Sequence, residues 1–459
     1  MKVALVKSRN YVCDESSASV TAIRKLPCQI FLAASYCRSI GIDTDVFNLK
    51  RFQKCPFEKY DMFVSWIPLY EGFYEGIAYL EKAKKEGKLT VMVLNDPLET
   101  LEMETMQRFT YIDYCIRLYE REYTLGYLIK ELERGNGNGF QQNSGIIYRK
   151  NGKLVDSGKK PPFNNLKHLP STAGFLEKEN IESYREVFIE AGRGCPFGCT
   201  FCFYKGTAQR KRDFNDIISE LKVVGKRARH IWLHDLNMLA DEKWVNELCD
   251  ALIEAKVPGQ WATDARLDEC ANLELLKKMK KAGCFLLVFG IESADEDILK
   301  KINKKVDFQV LDRTLENCKK VGIKAELNIM YGFPWDNEVT MKKTEDFIRK
   351  YPVTCIMLVR PLRGTPLYEE YKKLGLVKRD LVLDDYVYSK KNPVLPTLYL
   401  SRKKLYKWHK RFEAVASRRG LEIKIEEEGF AGAVVDWIKM KGFKLLNPKK
   451  IFDHLFVKN

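Results

Sequence analysis

The chain has 459 residues, 45% apolar and 31% charged, a globular balance that excludes a disordered chain and leaves room for two or three domains. Its 78 lysines and arginines exceed the 62 acidic residues by 16, a surplus that suits either a solvated surface or a polyanionic partner. No long apolar run predicts a transmembrane segment, and thirteen scattered cysteines suit a reducing cytoplasm rather than a disulfide framework.

The opening "KVALVK" reads as a buried strand rather than a leader. With "DTDVFN", "YDMFVSW", "LTVMVLN" and "YIDYCIRL" it alternates with amphipathic helical stretches, a pattern that predicts a doubly wound, Rossmann-like domain over 1–140. Residues 141–185 follow as a linker with a hairpin-like Asn-Gly turn at 151–152. From 186 to 370 the units lengthen. Six candidate strands, "EVFIEAG", "HIWLHD", "QWATDA", "FLLVFGIES", "AELNIMYGF" and "TCIMLVRPL", are separated by five helical patterns near 213–227, 241–255, 273–282, 308–321 and 337–350. This alternation predicts a partial six-stranded (β/α)6 barrel, so the class is α/β throughout. Residues 371–459 are predicted to be basic and mostly helical, and 378–459 hold 19 Lys+Arg against 10 Asp+Glu. "FAGAVVDWIKMKGFKLL", with Trp437, mixes apolar and lysine positions as an interfacial segment does, so solvated surface, anionic-substrate patch and peripheral membrane contact all stay open.

The chemistry gathers in "GRGCPFGCTFCFY", residues 192–204. Cys195, Cys199 and Cys202 lie within eight positions, directly after the first barrel strand and so on the face where barrels collect their chemistry. Structural zinc usually takes two paired knuckles. Here the next cysteine, Cys249, falls in the helical run "WVNELCDALIEA", where it is expected to pack as an apolar residue. Three thiolates suit an iron–sulfur cluster with one iron left open. Glycines at 192, 194 and 198 are expected to let the backbone wrap closely, with Phe201 a flat neighbour to Cys202.

"CPFGCTFC" resembles the cluster motif of the radical S-adenosylmethionine (SAM) superfamily, and the whole arrangement resembles the subgroup with an N-terminal cobalamin-binding-type domain. The resemblance implies a [4Fe-4S] cluster on the three cysteines and SAM chelated to the open iron. It implies reductive cleavage to a 5'-deoxyadenosyl radical that modifies an unactivated position by methylation, cyclisation or rearrangement. It also implies a reducing partner such as flavodoxin or ferredoxin, and substrates that include tetrapyrroles and lipids. Carried over residue by residue, it places Gly290, Glu292 and Ser293 of "FGIES", Arg266 of "WATDARLD" and Gly332 of "IMYGFP" around SAM. Asp235 of "WLHDLN" matches the first of a usual Asp-Asp pair; the second position is Leu236, so ammonium recognition would rest on Asp235 and Asn237.

The first domain departs from the subgroup. "VLNDPLE" puts Leu94 and Asn95 where the family often has a Gly-Gly, and "LYERE", residues 118–122, replaces a Gly-Glu-Gly-Glu turn. Cobalamin therefore stays open as a cofactor, with a retained fold that lacks it as the other reading. A methylthiotransferase-type RNA modifier, with a second cluster on Cys13, Cys28, Cys37 and Cys55, is the rival; its N-terminal signature is not apparent. A nucleic-acid binder with a structural cluster is the reading from another class.

Overall fold

The structure, a computed structural model, describes residues 1–7, 25–26, 29–48, 56–67, 72–94, 101–117, 119–137, 139–267, 272–387 and 395–441. The five predicted N-terminal strands form as Lys2–Lys7, Asp43–Asn48, Met62–Ile67, Leu89–Leu94 and Tyr114–Ile116. They pair in parallel in the order second, first, third, fourth, fifth, the doubly wound order in which ligand sites open beside the first strand. Both faces of this sheet are covered, so its strands are apolar runs rather than alternating ones: Met62–Ile67 is buried throughout. Gln29–Ser39 and Arg121–Glu133 pack together, and Phe73–Lys85 lies against Met62–Ile67.

The Asn-Gly hairpin does more than connect. Ile146–Lys150 and Lys153–Asp156 extend the first sheet in antiparallel fashion, so the expected linker carries two strands of that sheet. Asn151 and Gly152 both take positive φ, 51° and 76°, as a two-residue hairpin turn requires.

All six barrel strands form, in chain order and all parallel: Glu186–Glu190, His230–His234, Trp261–Ala265, Cys284–Glu292, Lys324–Tyr331 and Val353–Leu358. They form an open sheet, and the two-residue strand Lys25–Leu26 pairs beside the first of them, so the N-terminal segment reaches into the second sheet. The five predicted helices form as Phe214–Val224, Glu242–Glu254, Leu273–Lys281, Phe308–Val321 and Glu338–Lys350. Asp213, Asp241, Asn272, Asp307 and Asn337 cap them, each side chain accepting from backbone N–H groups of the first turn. A short helix missed in the sequence, Glu296–Lys301, follows the fourth strand.

Part of the basic C-terminal region turns inward. Helix Arg402–Lys441 packs on Glu338–Lys350 and the sixth strand. Arg411 donates to the buried Glu345, and His409 and Phe412 close over Tyr331. The interfacial stretch holding Trp437 lies outside the described side chains, as do Cys13, Cys28 and Cys55 outside the described residues. Cys37 is buried, and burial pushes its thiol up to about 12, as expected of a core residue. Cys249 is likewise core, its thiol pushed to about 12 by burial. No described helix is long and apolar enough to cross a membrane.

Candidate functional site

The cysteine loop leaves the first barrel strand through a tight hairpin, Gly192–Arg193 against Arg210–Lys211. Gly194 has φ +89° and a Cβ there would stand 2.1 Å from the Ala208 carbonyl oxygen, so only glycine lets the two arms approach. Glycines 192 and 194 were expected to make room around a cluster; they make room for the hairpin instead. Thr207 Oγ1 accepts from the Cys195 N–H at 2.9 Å, Thr200 N donates to Ile302, and Asn303 donates to the Gly198 carbonyl at 2.9 Å. Thus the short helix after the fourth strand and the segment behind it buttress the loop.

The three thiols share one small volume. Burial pushes Cys199 up, against the pull of Lys304 and Arg266, and it pushes Cys202 up to about 12. Burial thus favours the protonated thiol at Cys199 and Cys202, and a bound metal would supply the charge that makes them ligands. Among the described residues no three His, Cys, Asp or Glu side chains converge on a single ion. Three thiols in one loop are the donor set that suits an iron–sulfur cluster with one iron left open.

Strand ends converge on this loop. Glu292 closes the fourth strand at φ +70°, unusual for a residue with a side chain, just after an irregularity in pairing at Gly290. Its carboxylate is mostly buried and lies 3.5 Å from Lys304 Nζ. A Cβ on Gly290 would come within 2.2 Å of Glu292 Oε1, so the glycine makes space for that carboxylate. Arg266, 7% exposed, stacks on the ring of Phe197, the loop residue between Cys195 and Cys199, at 3.7 Å. Ser293 Oγ accepts from Asp295 N, which opens the short helix. Phe201 packs on Phe333, next to Gly332, whose N–H donates to buried Asp336 and whose carbonyl accepts from Tyr371.

Asp235 and Asn237 stand apart from this group. Asp235 is fully buried, with one oxygen 2.8 Å from Lys211 Nζ and the other accepting from Asn237 N. It braces the cysteine hairpin, and both its oxygens are already engaged. The expected ammonium contact does not follow from this geometry.

Sequence reasoning missed the joint between the two sheets. Glu120, in the "LYERE" turn, pairs with Arg210 and lies 3.3 Å from His168 Nε2. Glu122 takes Arg193 in a two-pronged pair at 3.1 and 2.8 Å, and Arg193 also donates to Glu190. Both glutamates are about 1% exposed. The turn of the first domain is therefore ion-paired to both arms of the cysteine hairpin. Beside this joint lies a cavity of about 580 Å³, lined by Phe188, Trp232, His234, Asp264, Asn328 and Tyr204 among others.

A six-stranded parallel sheet with three cysteines after its first strand, preceded by a doubly wound domain, defines a class, and the comparisons agree. Residues 189–348 match the Radical SAM superfamily model. That stretch is therefore a Radical SAM domain by its match, and the doubly wound domain before it has the fold of cobalamin-binding neighbours. An uncharacterized methyltransferase of Pyrococcus horikoshii is 26% identical over 64% of this chain. Bacteriochlorophyllide d C-12(1)-methyltransferase of Chlorobaculum tepidum is 28% identical over 46%, and anaerobic magnesium-protoporphyrin IX monomethyl ester cyclase of Rubrivivax gelatinosus 29% over 61%. The matches span 66%, 49% and 52% of those relatives' own lengths. Among solved structures, cobalamin-dependent OxsB with aqua-cobalamin and SAM bound aligns over 99% of this chain and 70% of its own at TM-score 0.70 and 14% identity. TsrM of Kitasatospora setae, with cobalamin and a [4Fe-4S] cluster, aligns over 82% and 75% at TM-score 0.65, again 14% identical. Likeness at that identity speaks for the fold.

Two positions where the sequence departs from the cobalamin-binding pattern are filled in the structure. Leu94 is 3% exposed, and Glu120 is held by its ion pairs where a nucleotide tail would need small residues. Asn95 lies outside the described residues.

Proposed function

We propose that this chain is a radical SAM enzyme that modifies an unactivated position of a small-molecule or lipid-like substrate. One observation carries the reading: the loop of Cys195, Cys199 and Cys202 after the first strand lies beside Glu292 at the end of the fourth strand and Arg266 just after the third. Cys195, Cys199 and Cys202 would hold a [4Fe-4S] cluster, whose chemistry when bound would be one-electron reduction of SAM to methionine and a 5'-deoxyadenosyl radical able to take a hydrogen atom from substrate. The chain's own work is orientation and exclusion of water. Glu292 suits the vicinal hydroxyls of a ribose, and Arg266, fixed on Phe197, suits a carboxylate. Gly332, tied by Asp336 and Tyr371, offers a rigid backbone edge to an adenine, with Phe201 and Phe333 behind it. No step is assigned to cobalamin. Electrons would come from a flavodoxin- or ferredoxin-type donor, in the reducing cytoplasm that free thiols suit. Two relatives are named for tetrapyrrole substrates, which supports a small-molecule target over RNA. Anaerobic reconstitution followed by an assay for 5'-deoxyadenosine tests the proposal.

A further inference from the structure

The cavity beside the cysteine hairpin has polar groups that the protein itself leaves unanswered. One of its walls, Trp232, packs on a small apolar cluster of Ala262, Leu286 and Val288. Above them the walls are flat rings. Phe188 and Trp232 lie nearly parallel, at 24° and 6.0 Å, and His234 meets Phe188 edge-on. Set into these walls are His234, at the end of the second strand, and Asn328, on the fifth. His234 Nδ1 and Asn328 Oδ1 are shut off from solvent, and neither atom has a hydrogen-bond partner among the described residues. Asp264, between them along the sheet, accepts from the indole N–H of Trp232 at 3.2 Å.

Buried polar atoms are normally paired; among those left without a partner in the described residues, His234 Nδ1 and Asn328 Oδ1 belong to residues that line this cavity, where a ligand can answer them. We propose that the cavity takes a flat, conjugated nitrogen heterocycle bearing an N–H and a ring nitrogen or carbonyl, and that His234 and Asn328 read it. The inference rests on the reading of this end of the barrel as a substrate site. Flatness follows from the stacked rings, whose faces favour another π-system over a puckered hydrocarbon. The nitrogen groups follow from the unpaired atoms: Asn328 Oδ1 can only accept, and His234 Nδ1 donates or accepts according to its tautomer. A polycyclic hydrocarbon would fill the volume and leave both atoms unanswered. A site built for hydrogen bonds discriminates against such an isostere far more strongly than an apolar pocket discriminates by size.

The test uses the full chain without a cluster, so its outcome is independent of any SAM chemistry. Norharmane, a fluorescent flat tricycle with one pyrrole N–H and one pyridine nitrogen, is titrated against the protein. Fluorene, of similar outline without either nitrogen, competes. Norharmane should bind roughly tenfold or more tighter than fluorene. His234→Leu and Asn328→Leu, made separately and checked for an unchanged melting temperature, should each shrink that preference while fluorene holds or gains. Absence of norharmane binding, equal affinity for the two probes, or an undiminished preference in both variants would overturn the proposal. If the preference holds but no 5'-deoxyadenosine is ever formed, the radical reading fails alone.

Discussion

Glu292 combines three features that rarely meet without a function. It has a left-handed backbone, a mostly buried carboxylate, and a place where it acts on the thiols of Cys199 and Cys202. Its partner Lys304 lies on the segment whose Asn303 buttresses the cysteine loop. Replacing Glu292 with alanine should weaken SAM binding by about 1–3 kcal/mol, the cost of leaving buried polar groups unpaired. Iron content should stay near the parent's, because no cysteine is touched. Calorimetric titration with SAM reads the change; unaltered affinity in a folded variant would make Glu292 a purely structural residue. The strand-end placement of the cysteines, Glu292 and Arg266 was legible in sequence because each lies in a short local motif next to an apolar run. The engagement of Asp235 was not. Its partner Lys211 is 24 positions away on the other arm of a hairpin that no local pattern announces. Nothing local to "HIWLHD" says that the ring of His234 will line a cavity.

At the scale of elements, the joint between the "LYERE" turn and the cysteine hairpin matters most. In sequence that turn reads as glycines replaced by bulkier residues. In space its glutamates pair with Arg210 and Arg193, long-range partners in the second sheet. Burial pulls Glu120 upward, but His168, Arg193 and Arg210 together outweigh it and hold the carboxyl at about 2. A carboxylate whose folded value lies below its unfolded one, near 4.5, stabilises the fold above that pH and loses its contribution as pH falls toward 2. The full contribution is on the order of 3 kcal/mol. Glu120→Gln should therefore be less stable than the parent above about pH 5, and the gap should close progressively below it. Urea unfolding between pH 7 and 3 measures this; a gap that stays constant with pH would show that the shift is absent. The strands and helices themselves were largely readable, because apolar runs, helical periodicity and Asp or Asn caps are local signals. The role of the hairpin Ile146–Asp156 as two further strands was not, because edge pairing depends on which sheet is nearby.

At the scale of the molecule, the first domain has the fold of cobalamin-binding neighbours, while its sequence carries Leu94, Asn95 and the "LYERE" turn where the resemblance leads one to expect small residues. Overpacking a close-fitting site costs about 1–3 kcal/mol per position, so two substitutions would reduce affinity by orders of magnitude. Equilibrium dialysis of hydroxocobalamin against the full chain should show weak or no uptake. Stoichiometric uptake at micromolar concentration would contradict this and favour methyl transfer. The two sheets meet through buried ion pairs and through Lys25–Leu26, which crosses from one to the other, so the first domain serves at least as a brace for the cysteine loop.

The central claim is that three cysteines at the end of the first barrel strand hold a cluster that opens SAM. The most direct measurement is 5'-deoxyadenosine formed by anaerobically reconstituted, dithionite-reduced protein given SAM, with the Cys195→Ala, Cys199→Ala, Cys202→Ala triple variant beside it. The account predicts 5'-deoxyadenosine from the parent and none from the variant, which should also lose nearly all its iron and sulfide. A parent that binds four irons and cleaves no SAM, or a variant that keeps its cluster, would contradict it.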